Sequence, residues 1–275
     1  MDPRDVLDVF DRAAETYDLA AFPFFTPFGE ALVEFAGVGP DDHVLDVGCG
    51  AGAALAPAAR RAASAVGIEL VPAMAERARA AAPEAQVVVG DASSLDFAHH
   101  AFDVVLAAFV VFFMPDPTAA LTGWRQVLSP AGRLVISTWA GADPRWSFER
   151  DIRRGFLSEI PQETLQDLGA GIALLNRFDG PSKVQEELRV AGFEPDPPVE
   201  HQIEFVFRDE DAWWEWNWSH GSRLFLEALA ESARERFREL VYAGMQPLRT
   251  DGGFPRRYTA LFTRAVPAAQ VMGNT

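Results

Sequence analysis

The chain has 275 residues, 49% of them hydrophobic, so it is long enough to bury a sizeable core in one large or two small domains. Its 24 basic and 40 acidic residues give a formal net charge of −16 at pH 7, which argues against binding that depends on phosphate attraction and so against a nucleic acid partner. The single cysteine, Cys49, excludes an internal disulfide and a cysteine-based zinc site. No signal-peptide pattern opens the chain, and the longest apolar run, residues 104–114, is far short of the roughly 20 residues that span a bilayer. We therefore expect a cytoplasmic protein without a membrane partner.

The first half of the chain alternates short runs rich in valine, leucine and isoleucine with alanine-rich stretches, which predicts βαβ units and a parallel sheet. Because the runs are continuously apolar, we expect strands that are buried on both faces. The predicted strands are residues 43–47, 65–69, 86–90, 102–109 and 132–139. The predicted helices between them are residues 52–63, 71–82 and 117–128.

The second half of the chain, residues 141–275, is less regular. Its composition favours helices at residues 146–160, 161–176, 181–191 and 209–245, and strands at residues 199–207 and 256–266. We expect these strands to complete the sheet as strands six and seven. The helices of about residues 145–176 and 209–245 are predicted to form a cap over the ligand edge. Residues 1–140 are predicted to hold N-terminal helices and the nucleotide-binding core.

A glycine loop follows the first predicted strand, in the stretch VLDVGCGAG at residues 44–52. Its alternate glycines, Gly48, Gly50 and Gly52, let the backbone turn tightly and approach a ligand closely. The loop also satisfies the looser dinucleotide fingerprint, so an NAD or FAD site is an alternative. Asp46 argues against that alternative, because a carboxylate two residues before the first glycine would repel a pyrophosphate. The same carboxylate suits S-adenosylmethionine, which carries an ammonium and a sulfonium and no phosphate.

Two further carboxylates end neighbouring strands. Glu69 closes the second strand, 21 residues after Gly48, where it can accept both ribose hydroxyls. Asp91 follows the third strand, where it can accept from an adenine amino group while the Ala92 amide serves a ring nitrogen. Three acids at successive strand ends point to a nucleoside site more specifically than any one of them. The competing interpretation is that each carboxylate only caps a strand-to-helix turn.

These segments resemble the class I S-adenosylmethionine-dependent methyltransferases, in the small-molecule branch of ubiquinone and menaquinone biosynthesis enzymes and natural-product O-methyltransferases. The similar segments are residues 44–52, 68–69, 90–92, 102–105 and 128–134, and residues 15–18 resemble the segment that closes over the cofactor. The resemblance implies an α/β, Rossmann-like, doubly wound sheet of seven strands in the order 3-2-1-4-5-7-6, with strand 7 antiparallel and the cofactor at the carboxyl ends. The implied cofactor-binding residues are Tyr17, Asp46, Gly48, Cys49, Gly50, Gly52, Glu69, Leu70, Asp91, Ala92, Ala108 and Phe109.

The sequence defines the site for the methyl acceptor, here called the acceptor side, less well than the cofactor site. The fourth strand lacks the Asn/Asp-Pro-Pro-Tyr/Phe element of amide and nucleobase N-methyltransferases, and no carboxylate cluster predicts a metal. His220, after the tryptophan-rich stretch 213–218, is the candidate general base or acceptor-orienting residue. The aromatic density favours a hydrophobic, ring-bearing acceptor. The candidate acceptor-binding residues are Phe25, Phe113, Trp214, Trp218 and Arg223. Arg145 is a second arginine that could hold a carboxylate of the acceptor.

The sequence therefore predicts an S-adenosylmethionine-dependent O-methyltransferase that acts on a hydrophobic small molecule of secondary metabolism, as a monomer or homodimer. One alternative is methylation of a carboxylate, such as the C-terminus of a modified small peptide. Another is a protein that keeps the cofactor pocket without methylating, as a cyclase would. A third alternative is an NAD-dependent oxidoreductase.

Overall fold

The computed structural model describes residues 11, 14, 17, 18, 23–178 and 180–269. Helix α1 (Phe25–Ala36) precedes the first strand. The elements that follow it up to the middle of the chain are β1 (His43–Val47), α2 (Leu55–Ala59), β2 (Ser64–Glu69), α3 (Pro72–Ala81), β3 (Gln86–Val89), β4 (Phe102–Ala108), α4 (Pro117–Val127) and β5 (Leu128–Trp139). The five predicted strands are thus present, whereas the helix expected at residues 52–63 is confined to α2.

The second half of the chain contains more helix than strand. Its elements are α5 (Ser147–Phe156), α6 (Gln162–Leu175), α7 (Pro181–Val190), β6 (Phe193–Pro195), β7 (Val199–Phe207), α8 (Glu210–Trp218), α9 (Arg223–Ala228), α10 (Glu231–Met245) and β8 (Phe254–Pro267). The stretch expected to be helical at residues 209–245 is divided into α8, α9 and α10.

The sheet has the predicted order, with one strand more than expected. Its neighbours run β3-β2-β1-β4-β5-β8-β6, and β7 also pairs with β8. The first five strands are parallel, and β8 is antiparallel to β5, β6 and β7, which confirms the predicted antiparallel strand. The predicted strand at residues 199–207 is present as β7, whereas β6 was not predicted, and Pro197 and Pro198, which lack a backbone N–H, lie between the two strands.

The core lies on both sides of this sheet. The central strands are largely buried, and Val104, Val105, Leu106 and Ala107 of β4 are fully buried. The prediction of burial on both faces is wrong for β3, which lies at the edge of the sheet and is exposed at Gln86 and Val89. Helix α1 packs against β4, β5 and β8, and α2 and α3 continue the same layer towards β2 and β3. Helices α4 and α7 contact each other and cover β5, β6 and β8. The carboxyl ends of β1, β2 and β4 therefore meet at one edge of the sheet.

The remaining helices gather beside the antiparallel end of the sheet. Helix α10 packs on α5 and α8, α9 packs on α6 and α8, and α8 contacts β7. These are the helices that the sequence placed in a cap, whereas the division of the chain near residue 140 stays a prediction. Among the described residues, no helix is both long enough and apolar enough to cross a membrane.

Candidate active site

The glycine loop leaves the carboxyl end of β1 between β2 and β4. The strand register places Asp46 beside Gly67 of β2 and Leu106 of β4. Gly48, Gly50 and Gly52 have positive φ angles of 65°, 55° and 92°, which only glycine adopts without strain. At Gly48 a Cβ atom would also lie 2.4 Å from the Val110 side chain. Both the conformation and the lack of space therefore require glycine at this position.

Asp46 is a buried carboxyl group without a hydrogen-bond partner. It is 0% exposed, and within the described part of the chain neither of its oxygens accepts a hydrogen bond of normal geometry. Burial, with a smaller contribution from the nearby negative charge of Glu69, raises the pKa of Asp46 to about 8, and only the nearby Leu55 backbone N–H opposes the shift. An unpartnered buried carboxylate is costly, so this group is suited to a ligand that brings a positive charge and hydrogen-bond donors.

Glu69 connects the end of β2 to the glycine loop. Its Oε2 accepts the Gly50 backbone N–H at 2.9 Å, and its Oε1 accepts the Val71 N–H at the same distance. Burial raises the pKa of this carboxyl, and the two backbone hydrogen bonds oppose the shift. An ionised carboxylate can accept about four hydrogen bonds, so Glu69 retains the capacity for two ribose hydroxyls. Leu70, which follows it, is 39% exposed.

Asp91 has the local contact that the competing interpretation predicted. The residue is exposed, and its Oδ1 accepts the Ser93 backbone N–H at 2.8 Å, which shapes the turn after β3. The adjacent Ala92 is buried, and its carbonyl accepts the Trp124 indole N–H at 2.8 Å. These bonds fix the turn and leave the role of Asp91 and Ala92 towards adenine a prediction.

Together these groups fit S-adenosylmethionine and do not fit a dinucleotide. The amino-acid part of the cofactor carries a positive charge and hydrogen-bond donors, and these are the partners that the Asp46 carboxylate lacks. A pyrophosphate in the same place would add negative charge to a carboxyl whose pKa is already raised by burial and by a negative neighbour. The glycine loop and Glu69 then supply the close backbone approach and the hydroxyl acceptors that a nucleoside requires.

The described part of the N-terminal segment lies next to this edge. Tyr17 stacks on Phe25, with ring centroids 4.9 Å apart, and packs against Val71 and Met74 at the start of α3. Asp18 accepts the Phe25 backbone N–H at 2.6 Å and thereby fixes the beginning of α1. Glu15 and Thr16, which also belong to the segment expected to close over the cofactor, lie outside the described residues.

Aromatic side chains gather where β4 and β5 end. Ala108 ends β4, and the next residue, Phe109, turns with a positive φ of 54° while its N–H donates to the Ser137 hydroxyl at 3.0 Å. The Phe109 ring stacks on Trp139, with centroids 4.0 Å apart, and meets Phe25 at 6.0 Å. The structure therefore brings the predicted residues Phe25, Ala108 and Phe109 together at the sheet edge.

Four other residues predicted to bind the acceptor have contacts away from the ends of β4 and β5. Phe113 lies in a short 3-10 turn and contacts Phe112. Trp214 and Trp218 face α9 and α10, where their partners include Phe237 and the guanidinium groups of Arg223, Arg234 and Arg238. Arg223 pairs with Glu227 at 2.6 Å. Arg145, the second arginine, forms ion pairs with Asp143 and Glu204. The role of all these residues in acceptor binding stays a prediction.

A second set of aromatic residues, which sequence reasoning did not select, adjoins Trp139. Phe24 lies among Trp139, Phe205, Trp216 and Tyr258, with ring centroids 4.8 to 5.9 Å away. Trp216 could have been found from its spacing, because it lies four residues, about one helical turn, before His220. Tyr258 carries no local signal, since its place depends on pairing with β7.

His220 is held as a neutral imidazole beside these rings. Its Nδ1 lies 2.6 Å from the Trp216 carbonyl oxygen, and its ring stands 4.0 Å from the Trp216 ring. Because a carbonyl only accepts, Nδ1 carries the hydrogen, and Nε2 keeps its lone pair. Burial, opposed in part by this hydrogen bond, lowers the pKa of His220 to about 4. The residue is therefore uncharged and able to accept a proton.

A doubly wound sheet with an antiparallel strand next to β5, and a glycine loop beside a buried acid, is typical of the folds that bind a nucleoside-containing cofactor at the carboxyl ends of their strands. A family profile described as "Methyltransferase domain" matches residues 45–136. The chain is 32% identical over 198 residues to aklanonic acid methyltransferase of Streptomyces sp. (strain C5), covering 67% of this chain and 88% of that protein. It is 31% identical over 242 residues to nocamycin O-methyltransferase of Saccharothrix syringae, covering 82% and 85%.

The chain therefore belongs to the S-adenosylmethionine-dependent methyltransferases, and it is an enzyme that uses this cofactor. Among solved structures, the YcgJ protein from Bacillus subtilis has the same fold, with a TM-score of 0.57 at 16% identity over 88% of this chain and 99% of that one. The predicted family and cofactor are confirmed. The oxidoreductase hypothesis is wrong, and the relatives do not favour the peptide or the cyclase alternative.

Proposed function

We propose that the enzyme transfers the methyl group of S-adenosylmethionine to an oxygen of a hydrophobic, ring-bearing small molecule of secondary metabolism. The names of the two relatives support this proposal, because one is an O-methyltransferase and the other acts on an organic acid. The observation that carries it is the aromatic environment of His220, whose Nδ1 is held by the Trp216 carbonyl and whose ring lies 4.0 Å from the Trp216 ring.

In this mechanism the chain binds and orients the two substrates. When bound, S-adenosylmethionine supplies an activated methyl group. Asp46 pairs with its ammonium, Glu69 accepts from the ribose hydroxyls, and Asp91 with the Ala92 amide holds the adenine. The glycine loop, including Cys49, and the residues Tyr17, Leu70, Ala108 and Phe109 complete the cofactor contacts. The stacked rings of Phe109 and Trp139 exclude water from the acceptor side.

His220 takes the proton of the acceptor oxygen at Nε2. A base with a pKa of about 4 is weak, so it is best matched to an acidic hydroxyl, such as a phenol or an enol, which needs little help to ionise. Phe25, Phe113, Trp214, Trp218 and Arg223 are proposed as further acceptor ligands. The strongly negative net charge supports a small-molecule acceptor over a nucleic acid, and we propose that no metal takes part.

Methyl transfer to defined aromatic acceptors tests this proposal. The purified enzyme is incubated with methyl-labelled S-adenosylmethionine and either aklanonic acid or 1-hydroxyanthraquinone, and the product is assigned by NMR. We expect the label on oxygen. Binding of S-adenosylhomocysteine without transfer to either acceptor, or a label on carbon or nitrogen, contradicts O-methylation. Sedimentation of the same preparation distinguishes a monomer from a homodimer.

A further inference from the structure

Arg256 is a nearly buried arginine whose hydrogen-bonding capacity is only partly used. Its side chain is 14% exposed, and its one hydrogen bond to a described residue runs from Nη1 to Glu149 Oε2 at 2.6 Å. Aromatic rings pack against the guanidinium, because the ring centroids of Trp146 and Tyr258 lie 4.7 Å and 5.0 Å from its central carbon. Nε and Nη2, which form one in-plane edge of the guanidinium, have no hydrogen-bond partner among the described residues. This edge can bind a carboxylate with two parallel hydrogen bonds.

Tyr258 supplies a second unused donor on the same strand. It follows Arg256 by two residues in β8, so both side chains lie on the same face of the strand. The Tyr258 hydroxyl is buried, and no described residue donates to it or accepts from it. A buried hydroxyl without a partner is unfavourable, so this position is explained best by a ligand that supplies the acceptor.

The carboxylates near Arg256 are already engaged. Glu149 is shared with Arg153, which donates to its Oε1 at 3.1 Å. Asp143 accepts from the Arg145 guanidinium at 2.7 to 3.0 Å and from the Arg257 backbone N–H at 2.9 Å. Neither carboxylate bonds to the Nε and Nη2 edge of Arg256, so a ligand can occupy that edge without displacing an internal ion pair.

Arg256 and Tyr258 lie next to the proposed acceptor side. Arg256 and Tyr258 line a cavity of about 180 Å³ together with Trp139, Asp143 and neighbouring residues at the end of β5. Trp139 in turn stacks on Phe109 at the sheet edge where the cofactor loop lies. A molecule whose ring system rests near Trp139 can therefore extend a polar group towards Arg256.

We propose that Arg256 and Tyr258 form an anchoring subsite for a carboxylate on the acceptor, apart from the oxygen that is methylated. Nε and Nη2 of Arg256 hold the two carboxylate oxygens, and the Tyr258 hydroxyl donates a third hydrogen bond. The inference rests on the proposed function, since it assigns the chemical class of the acceptor: an aromatic acid. Arg256 and Tyr258 are binding residues and take no proton from the reacting oxygen.

Binding of an aromatic acid and its neutral amide tests this subsite without requiring turnover. The probes are anthraquinone-2-carboxylate and anthraquinone-2-carboxamide, titrated by calorimetry into the enzyme saturated with S-adenosylhomocysteine. In the unchanged enzyme we expect the carboxylate to bind at least about tenfold more tightly than the amide, the ratio expected for one lost hydrogen bond to a charged group.

Two variants and a control show whether the preference for the carboxylate over the amide depends on Arg256 and Tyr258. Tyr258→Phe keeps the ring contacts and removes only the unpartnered hydroxyl, so it should fold normally and reduce the carboxylate preference severalfold. Arg256→Gln should abolish the preference. The control Arg264→Gln makes the same charge change at an exposed position further along β8 and should leave the preference intact.

The outcomes distinguish this inference from the proposed function. Equal binding of acid and amide, no binding of the acid, or a preference that survives both substitutions overturns the carboxylate subsite. If the preference is present and depends on both residues while no hydroxylated aromatic acid is methylated, the subsite stands and the proposed O-methylation fails. If methyl transfer proceeds without any preference for acids, the proposed function stands and the subsite is rejected.

Discussion

The Oε2 atom of Glu69 accepts the backbone N–H of Gly50 at 2.9 Å, so the end of β2 sets the shape of the loop that follows β1. The Oε1 atom of the same carboxylate accepts the Val71 N–H and positions the start of α3. One side chain thus joins the two backbone segments that flank the proposed ribose position. Its substitution should therefore affect both the stability of the loop and the affinity for the cofactor.

Glu69→Gln should weaken S-adenosylhomocysteine binding by about tenfold and lower the free energy of unfolding by about 1 kcal/mol. The reason is that a glutamine amide has only one acceptor oxygen, so one of the two backbone N–H groups faces an NH₂ group instead. Calorimetry and urea unfolding measure the two effects. Glu84→Gln, at an exposed position before β3, is the matched control and should change neither quantity. Wild-type affinity in Glu69→Gln would remove Glu69 from the cofactor site.

The raised pKa of Asp46 predicts a pH-dependent stability without cofactor. Because the pKa of Asp46 is about 8 in the folded protein and near 4 in the unfolded chain, the folded state holds the extra proton between these values. Stability should therefore fall as pH rises from about 4 to about 8, with a limiting slope of about 1.4 kcal/mol per pH unit. Urea unfolding at pH 5, 6, 7 and 8 should show this slope in the wild type and a smaller one in Asp46→Asn.

The same carboxyl should release a proton when the cofactor product binds. An ammonium beside Asp46 favours its ionised form, so binding of S-adenosylhomocysteine at pH 7 should expel close to one proton. Calorimetry in two buffers of different ionisation enthalpy measures this release. Asp46→Asn should bind about a hundredfold more weakly and release none. Proton release that persists in the variant would contradict the assignment of Asp46.

Gly48→Ala should destabilise the loop, whereas Gly123→Ala should not. At Gly48 the φ angle is 65° and a Cβ atom would lie 2.4 Å from the Val110 side chain. Gly123 lies within α4, where a Cβ atom meets nothing within 4 Å. We expect Gly48→Ala to lose about 2 kcal/mol of unfolding free energy together with cofactor affinity. Gly123→Ala should gain up to about 1 kcal/mol from its helix propensity. Urea unfolding of both variants makes the comparison.

His220→Gln should lower the turnover number by about a hundredfold and leave S-adenosylhomocysteine affinity unchanged, because His220 acts only on the acceptor. Since the pKa of His220 is lowered to about 4, the imidazole stays neutral at higher pH, and we expect no rise in turnover through pH 6 to 8 from this group. The depressed pKa also means that its contribution to stability is lost as pH falls from about 6.5 to about 4. His99→Gln, in the turn before β4, serves as the control for a histidine outside the site. Unchanged turnover in His220→Gln would exclude it as the base.

The central part of the sheet could be predicted because β1 and β4 are continuous apolar runs that are largely buried. Residues 43–47 and 102–108 illustrate this, since nearly every position in them is buried. Strand β6 was missed, because the two prolines at 197 and 198 interrupt the pairing before β7 and give no sign that residues 193–195 also pair with β8. Local sequence shows where a strand loses its N–H donors but not whether the chain returns to the same neighbour.

The cofactor side of the site could be predicted better than the acceptor side. Asp46 and Glu69 lie at strand ends, so the sheet topology alone brings them together. On the acceptor side, helical spacing separates Trp214 and Trp218 from Trp213 and Trp216, yet it cannot say which pair meets the sheet. The packing of α8 on β7 decides this, and Trp216 is the residue that joins Tyr258. Arg256 and Tyr258 depend on long-range pairing and left no local signal.

The only cysteine of the chain sits inside the cofactor loop, with its sulfur behind β2, where a Cβ atom on Gly67 would come within 2.8 Å of it. Burial raises the pKa of the Cys49 thiol, so the group is protonated and shielded while the loop is in place. An alkylating reagent can reach it only during a transient opening of that loop. The rate at which Cys49 is alkylated in the native protein therefore reports how often the cofactor loop opens. Bound cofactor should lower that rate.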